Sequence, residues 1–236
     1  MKKIKKWLYG ETGEGEGLFY KMVWEGIFIS KRLLNLPNIL RAGGRIKKYL
    51  QVNTPVKVQL GCGEDILNGF LNTDLLGEIP LNITKRLPFP DNSVSLFYSN
   101  HMVEHIYHKQ FKYFLKESYR ALKPGGIHII LTPSIEKLTK SVYHEPLAKK
   151  KLMEIHTKKG EEIDSATLIN RICHMRYMHK FLYDFECINR LAKKYKYRKV
   201  VLVNNPNLIP DPIIRQNIKD KFMEGDGITD IFVLVK

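Results

Sequence analysis

Val56-Lys57-Val58-Gln59-Leu60-Gly61-Cys62-Gly63, followed eleven residues after Gly63 by Asp74 in Phe70-Leu71-Asn72-Thr73-Asp74, decides the fold. An apolar, β-branched stretch runs into a Gly-x-Gly turn, and a second short stretch of the same kind ends in a carboxylate. Glycine permits a tight turn and lets a ligand approach the main chain. An acid at the end of the next strand can accept both hydroxyls of a ribose. A Gly-x-Gly turn alone is a common connector, so the weight lies in the pattern of the chain downstream of Asp74.

From Val56 onward, strand and helix signals alternate. Val56–Leu60, Phe70–Thr73, Leu81–Ile83 and Val94–Tyr98 read as strands. Lys109–Leu122 reads as a helix, with Phe111, Phe114, Leu115, Tyr119 and Leu122 on one face. Lys123-Pro124-Gly125-Gly126 stops it, and Ile127–Leu131 comes next as a buried strand. Tyr183–Tyr195 is a helix, and Lys199–Val203 and Ile228–Val235 are the last strands. Such alternation predicts a parallel sheet with helices on its faces. Before it, residues 1–52 read as a helical extension or lid: an acidic spacer at Gly13–Gly17, a helix from Leu18 to Leu34 that Pro37 ends, and a short helical piece at Ile46–Leu50. Residues 53–135 form the expected cofactor-binding core, 136–180 a basic helical insertion, and 181–236 the rest of the sheet, all in a single domain.

Composition narrows the class. The chain has 236 residues, 44% hydrophobic and 27% charged, which is ordinary for a globular protein and long enough for a full core. No apolar run approaches the roughly 20 residues that span a bilayer, and no export signal is read, so a cytoplasmic location is expected. The three cysteines, Cys62, Cys173 and Cys187, form no CxxC pair, which argues against a disulfide frame or a zinc site. The 39 basic and 24 acidic residues leave a net charge of +15. Residues 136–200 hold 16 Lys/Arg against 8 Asp/Glu, a local +8 that favours anionic partners: a phosphorylated sugar, a lipid headgroup or nucleic acid. Trp7 among four lysines points to peripheral contact with an anionic membrane.

Four segments in register resemble the class I, Rossmann-like methyltransferases that use S-adenosyl-L-methionine, of the broad small-molecule type. They are Leu60-Gly61-Cys62-Gly63, Asp74, Leu87-Pro88-Phe89-Pro90-Asp91-Asn92-Ser93-Val94, and Leu122-Lys123-Pro124-Gly125-Gly126. Tyr177–Val203 further resembles enzymes of bacterial surface-glycan synthesis. The resemblance implies a three-layer sandwich with a mostly parallel seven-stranded sheet, the last strand antiparallel. It implies a cofactor site made by Gly61, Cys62, Gly63, Asp74, Asn82, Ile83 and Asn100. Two departures stand out. Gln59 occupies the position usually held by an acid, and the short interval from Gly63 to Asp74 leaves little room for a first helix.

His101-Met102-Val103-Glu104-His105 fits H-x-x-E-H, in which a helix would pair His101 and His105 on zinc with Glu104 activating water. A strand leads into it, however, and the phrase matches the post-strand segment of the methyltransferases, so no metal site is expected. His105 first, then His101, are the expected catalytic bases, with His174 and His179 of the insertion as further candidates, since histidine accepts protons near neutral pH. His174 to Phe181, with aromatic and basic residues interleaved, is expected to line the acceptor pocket. The implied reaction is O-methylation of a carbohydrate or other small polar acceptor. RNA methylation, or a catalytically silent binding module on the same fold, are the alternatives.

Overall fold

The computed structural model describes residues 18–158, 160–174, 178–222 and 227–236. The readings made for the lysines around Trp7, the Gly13–Gly17 spacer and residues 175–177 lie outside them.

Among the described residues, six strands form one sheet in the order β2-β1-β3-β4-β6-β5. Strands β1 (Lys57–Leu60), β2 (Leu71–Thr73), β3 (Val94–Asn100) and β4 (Leu122–Pro133) run parallel to one another. β6 (Thr229–Val235) is antiparallel both to β4 and to β5 (Lys199–Leu202). The antiparallel last strand is therefore as expected, but the seventh strand is not formed among the described residues. Leu81–Ile83 joins no strand, and a single Asp74–Pro80 bridge precedes it. Asn82 explains the failure: its Oδ1 accepts from the Thr84 N–H at 3.0 Å and from the Thr84 hydroxyl at 2.7 Å. That local turn diverts the chain from an extended course.

Alternation along the strands gives the sheet two apolar faces. Val58, Leu60, Phe97, Ile130 and Phe232 pack on one side against α2 (Leu36–Val52), α3 (His108–Ala121) and α7 (Phe185–Lys194). Phe111, Phe114 and Leu115 of α3 are wholly buried there, each contributing about 1.5–3 kcal/mol of apolar burial. α2 begins rather than ends near Pro37. The proline sits in the first turn, where its missing N–H has no intrahelical partner to lose. The preceding helix, α1 (Leu18–Leu34), stops at Asn35 instead.

Leu96, Tyr98, Ile129, Ile231 and Val233 face the other side. No helix lies between β1 and β2, as the short interval predicts. The face is covered by Leu67 and Phe70 of that loop and by α8 (Pro212–Phe222), which the sequence reading did not foresee. Asp211 caps α8 by accepting from the N–H groups of Ile213 and Ile214, and its other oxygen binds the Lys57 ammonium of β1 at 2.7 Å. Asn217 of α8 accepts from the Tyr98 hydroxyl and donates to Asp65, tying the helix to the glycine-turn loop. The insertion folds as α4 (Ile135–His144), α5 (Pro146–His156) and α6 (Ser165–His174) around a small core of Leu138, Val142, Leu152, Leu168 and Ile172.

Candidate functional site

The carboxyl ends of β1, β2 and β3 lie side by side, and open α/β sheets bind ligands at that edge. After β1 the chain turns sharply. Gly61 has φ +67°, and a Cβ there would come within 2.5 Å of the Met102 side chain. The turn therefore presses directly on the segment after β3. Gly63 has φ +54°, and a Cβ there would meet nothing within 4 Å. Its positive φ requires glycine, while the space beside it is open.

Asp74 closes the same corner from β2. Its Oδ2 accepts from the Gly63 N–H at 3.2 Å and its Oδ1 from the Leu76 N–H at 3.0 Å. Each carboxylate oxygen keeps a lone pair beyond these bonds, enough for two hydroxyls. The loop after Asp74 is braced by α2 and the residue before it: Asn35 donates to the Gly77 carbonyl at 3.0 Å and Arg45 to the Glu78 carbonyl at 2.7 Å. Gln59, one residue before the end of β1, is buried with its Oε1 lacking a hydrogen-bond partner among the described residues. An orphaned acceptor beside an open glycine turn fits a ligand bearing an ammonium group.

The remaining expected cofactor residues divide. Cys62 is 7% exposed, and its thiol is pushed up to about 11 by burial first and then by the Asp74 charge. It is a packing residue that stays protonated, not a nucleophile. Ile83 is also in the apolar core, so only its backbone is left to meet a ligand. Asn82 is half-buried, its carbonyl oxygen occupied by Thr84. Asn100 ends β3 opposite Leu131, half-buried at the sheet edge.

His101 comes next, in the left-handed region with φ 47°. Such strain in a non-glycine residue is common at functional sites. Its Nδ1 lies 3.2 Å from Glu104 Oε1, and its Nε2 lies 3.1 Å from the Thr229 hydroxyl. Glu104 itself is fully buried, and its Oε2 accepts from the Thr132 hydroxyl at 3.2 Å. Residues Val103–His105 form one 3-10 turn rather than the opening of a helix. His101, on the strand side of that turn, is not placed with His105 on a helical face, and the H-x-x-E-H geometry is not built.

The structure instead brings in a residue from far along the chain. The Glu104 carbonyl accepts from the N–H groups of Lys180 at 2.7 Å and Phe181 at 3.3 Å, strapping the end of the insertion across the turn. His179 is thereby buried against His105, with ring centroids 5.0 Å apart. Burial lowers the His179 pKa, the Glu104 charge opposing this only in part. Of the segment expected to line the acceptor pocket, His179 reaches this site, while His174 ends α6 on the surface.

Residues 59–130 match a family model described as a methyltransferase domain. The matched stretch runs from Gln59 through the glycine turn, Asp74 and the His101–His105 segment to Ile130 in β4. The match supports an enzyme that uses S-adenosylmethionine. No curated protein matches the chain. Among solved structures, an S-adenosylmethionine-dependent methyltransferase from Archaeoglobus fulgidus is 15% identical, with 92% of this chain and 100% of that chain covered and a TM-score of 0.46. Phosphoethanolamine N-methyltransferase 2 of Haemonchus contortus, in complex with S-adenosyl-L-methionine, is 15% identical over 99% of this chain and 56% of that one, with a TM-score of 0.46. A methyltransferase from Mesorhizobium loti is 12% identical over 77% and 90%, with a TM-score of 0.44. Each TM-score lies below 0.5, so these likenesses add no weight to the reading.

Proposed function

We propose that this chain transfers a methyl group from S-adenosylmethionine to a hydroxyl of a small polar acceptor of carbohydrate type. The observation that carries the reading is the junction at the sheet edge. There the open turn at Gly61–Gly63 and the carboxylate of Asp74 meet the post-β3 segment bearing His101, Glu104 and His105.

Gly61 and Gly63 offer bare backbone to the amino-acid end of the donor, and Asp74 offers its free lone pairs to the ribose hydroxyls. Gln59 Oε1 accepts from the ammonium group. The sulfonium supplies an already activated methyl, so in-line positioning carries most of the rate. What the chain adds is proton management at the acceptor. The His105 Nδ1 lies 3.3 Å from the Met178 carbonyl, which only accepts, so that nitrogen carries the proton. Nε2 is left with a lone pair, suited to take the acceptor's hydroxyl proton. His101 has partners at both ring nitrogens, and its role is to hold Glu104 and Thr229 in place.

The +8 charge of residues 136–200 favours an anionic acceptor, in keeping with the resemblance to surface-glycan enzymes. The test is turnover: S-adenosylhomocysteine release with a panel of sugar phosphates, nucleotide sugars and structured RNA, by wild type and His105→Gln. Hydroxyl methylation of one sugar-type acceptor, reduced about 100-fold or more in the variant, is the expected outcome. Methylation of RNA alone, or no release with any acceptor by a protein that binds the donor, would overturn the acceptor assignment.

A further inference from the structure

We infer that Glu104, His105 and His179 form a binding site for one divalent transition-metal ion of the zinc class. One ligand atom from each of the three lies within 4.8 Å of the others. A tetrahedral zinc ion with bonds near 2.0–2.1 Å spaces its ligands by about 3.4 Å, so closing the site requires a shift of roughly an ångström. His105, half-buried with its ring reaching solvent and held by the longer of the two carbonyl contacts, is the member placed to make that shift.

Three features of the surroundings single this cluster out from a chance contact of two imidazoles. Both rings are held through Nδ1 by main-chain carbonyls, His179 by Ile172 at 3.1 Å and His105 by Met178 at 3.3 Å. A carbonyl partner fixes the proton on Nδ1 and leaves the Nε2 lone pair for an ion, the way metal-bound histidines are held. Glu104 is wholly buried; Thr132 serves its Oε2, while its Oε1 has the His101 Nδ1 at 3.2 Å but accepts no hydrogen bond of good geometry among the described residues. A buried carboxylate short of partners costs stability unless a charge is supplied, and a dication supplies it. Lastly, the strap of Lys180 and Phe181 onto the Glu104 carbonyl fixes the acid and His179 relative to each other.

Two imidazoles and one carboxylate with a fourth position left open is a donor set typical of zinc held for chemistry rather than for structure. This triad differs from the H-x-x-E-H pattern in the sequence, because His179 takes the place of His101. Its catalytic meaning rests on the methyl-transfer reading: with an ion bound, the His105 Nε2 lone pair would be engaged as a ligand, and the dication would replace that imidazole's role as base by lowering the pKa of an acceptor hydroxyl resting on it. The binding site itself does not depend on that reading.

The experiment uses the full chain stripped with chelator, titrated calorimetrically with Zn²⁺ and spectroscopically with Co²⁺. The expected result is one equivalent bound at micromolar affinity or tighter, with visible Co²⁺ bands of a four- or five-coordinate site. His105→Ala and His179→Ala should each weaken binding by at least tenfold, and Asp74→Ala should leave it unchanged while weakening binding of the methyl donor at least tenfold. Because His179 is buried and its variant is at risk of misfolding, His105→Ala on the surface side keeps the test decisive. Absence of a stoichiometric site, or affinity unaltered in a folded His105→Ala, would overturn the inference while leaving donor binding as a separate result. Metal binding without donor binding would uphold the site and remove its catalytic meaning.

Discussion

Replacing His128 with leucine should make the protein more resistant to acid, by an amount the structure fixes. His128 sits in β4, 0% exposed, between the rings of Phe97 and Phe114 at centroid distances of 5.7 and 5.3 Å. Neither ring nitrogen has a hydrogen-bond partner among the described residues. Burial pushes its pKa down to about 3, against about 6.5 in an unfolded chain. With the folded value depressed, the unfolded chain binds the proton first, so this group's contribution to stability falls as pH drops below about 6.5 and levels off near 3. Between pH 7 and pH 5 the loss is about 2 kcal/mol, and it is the same whether the folded value is 3 or 4. Changes in packing and desolvation from the leucine are independent of pH and cancel when the two pH values are compared. Urea unfolding of wild type and His128→Leu at both pH values gives the number directly. The stability gap should widen in the variant's favour by about 2 kcal/mol on acidification. A gap that stays constant would show that His128 takes up a proton in the folded state, refuting the buried, neutral assignment.

Gly61→Ala should destabilise the fold by about 1–3 kcal/mol, since it combines a left-handed φ with a 2.5 Å approach to Met102. At about 2–4 °C per kcal/mol, that is a fall of several degrees in calorimetric melting temperature; Gly63→Ala, with open space around it, should cost less, and equal losses would contradict the packing described. Cys62 should resist iodoacetamide at pH 7.5 in the native protein, because a thiol pushed up to about 11 carries about 100-fold less thiolate than a free cysteine. Peptide-resolved mass spectrometry checks this, and native labelling as fast as in the unfolded chain would restore Cys62 as a reactive group.

Where signals were local, the sequence sufficed. The strand, Gly-x-Gly turn and Asp74 formed as read because each rests on neighbouring residues: a β-branched run, positive φ at glycine, and a carboxylate capping Gly63 and Leu76. Pro37 was misread because a proline that ends one helix and one that opens the next give the same local signal, and the break fell at Asn35. α8 was missed although its cap was visible: Asp211-Pro212 followed by Ile214 and Ile218 at helical spacing. The seventh strand, not formed among the described residues, turned on the two hydrogen bonds that Asn82 Oδ1 accepts from Thr84, competing with a weak strand signal. His179 was read as a further candidate base and as one residue of a pocket-lining stretch, not as a partner of Glu104. Its meeting with Glu104 depends on backbone bonds across more than seventy residues of chain, which no periodicity encodes.

Calorimetric titration of the purified chain with S-adenosylmethionine and S-adenosylhomocysteine, repeated on Asp74→Ala, tests the central claim most directly. Removing the carboxylate that caps Gly63 and faces the ribose site should cost both ligands at least tenfold in affinity, from micromolar binding by the wild type. Folded wild-type protein that binds neither ligand, or an Asp74→Ala variant that binds both as well as wild type, would contradict the account.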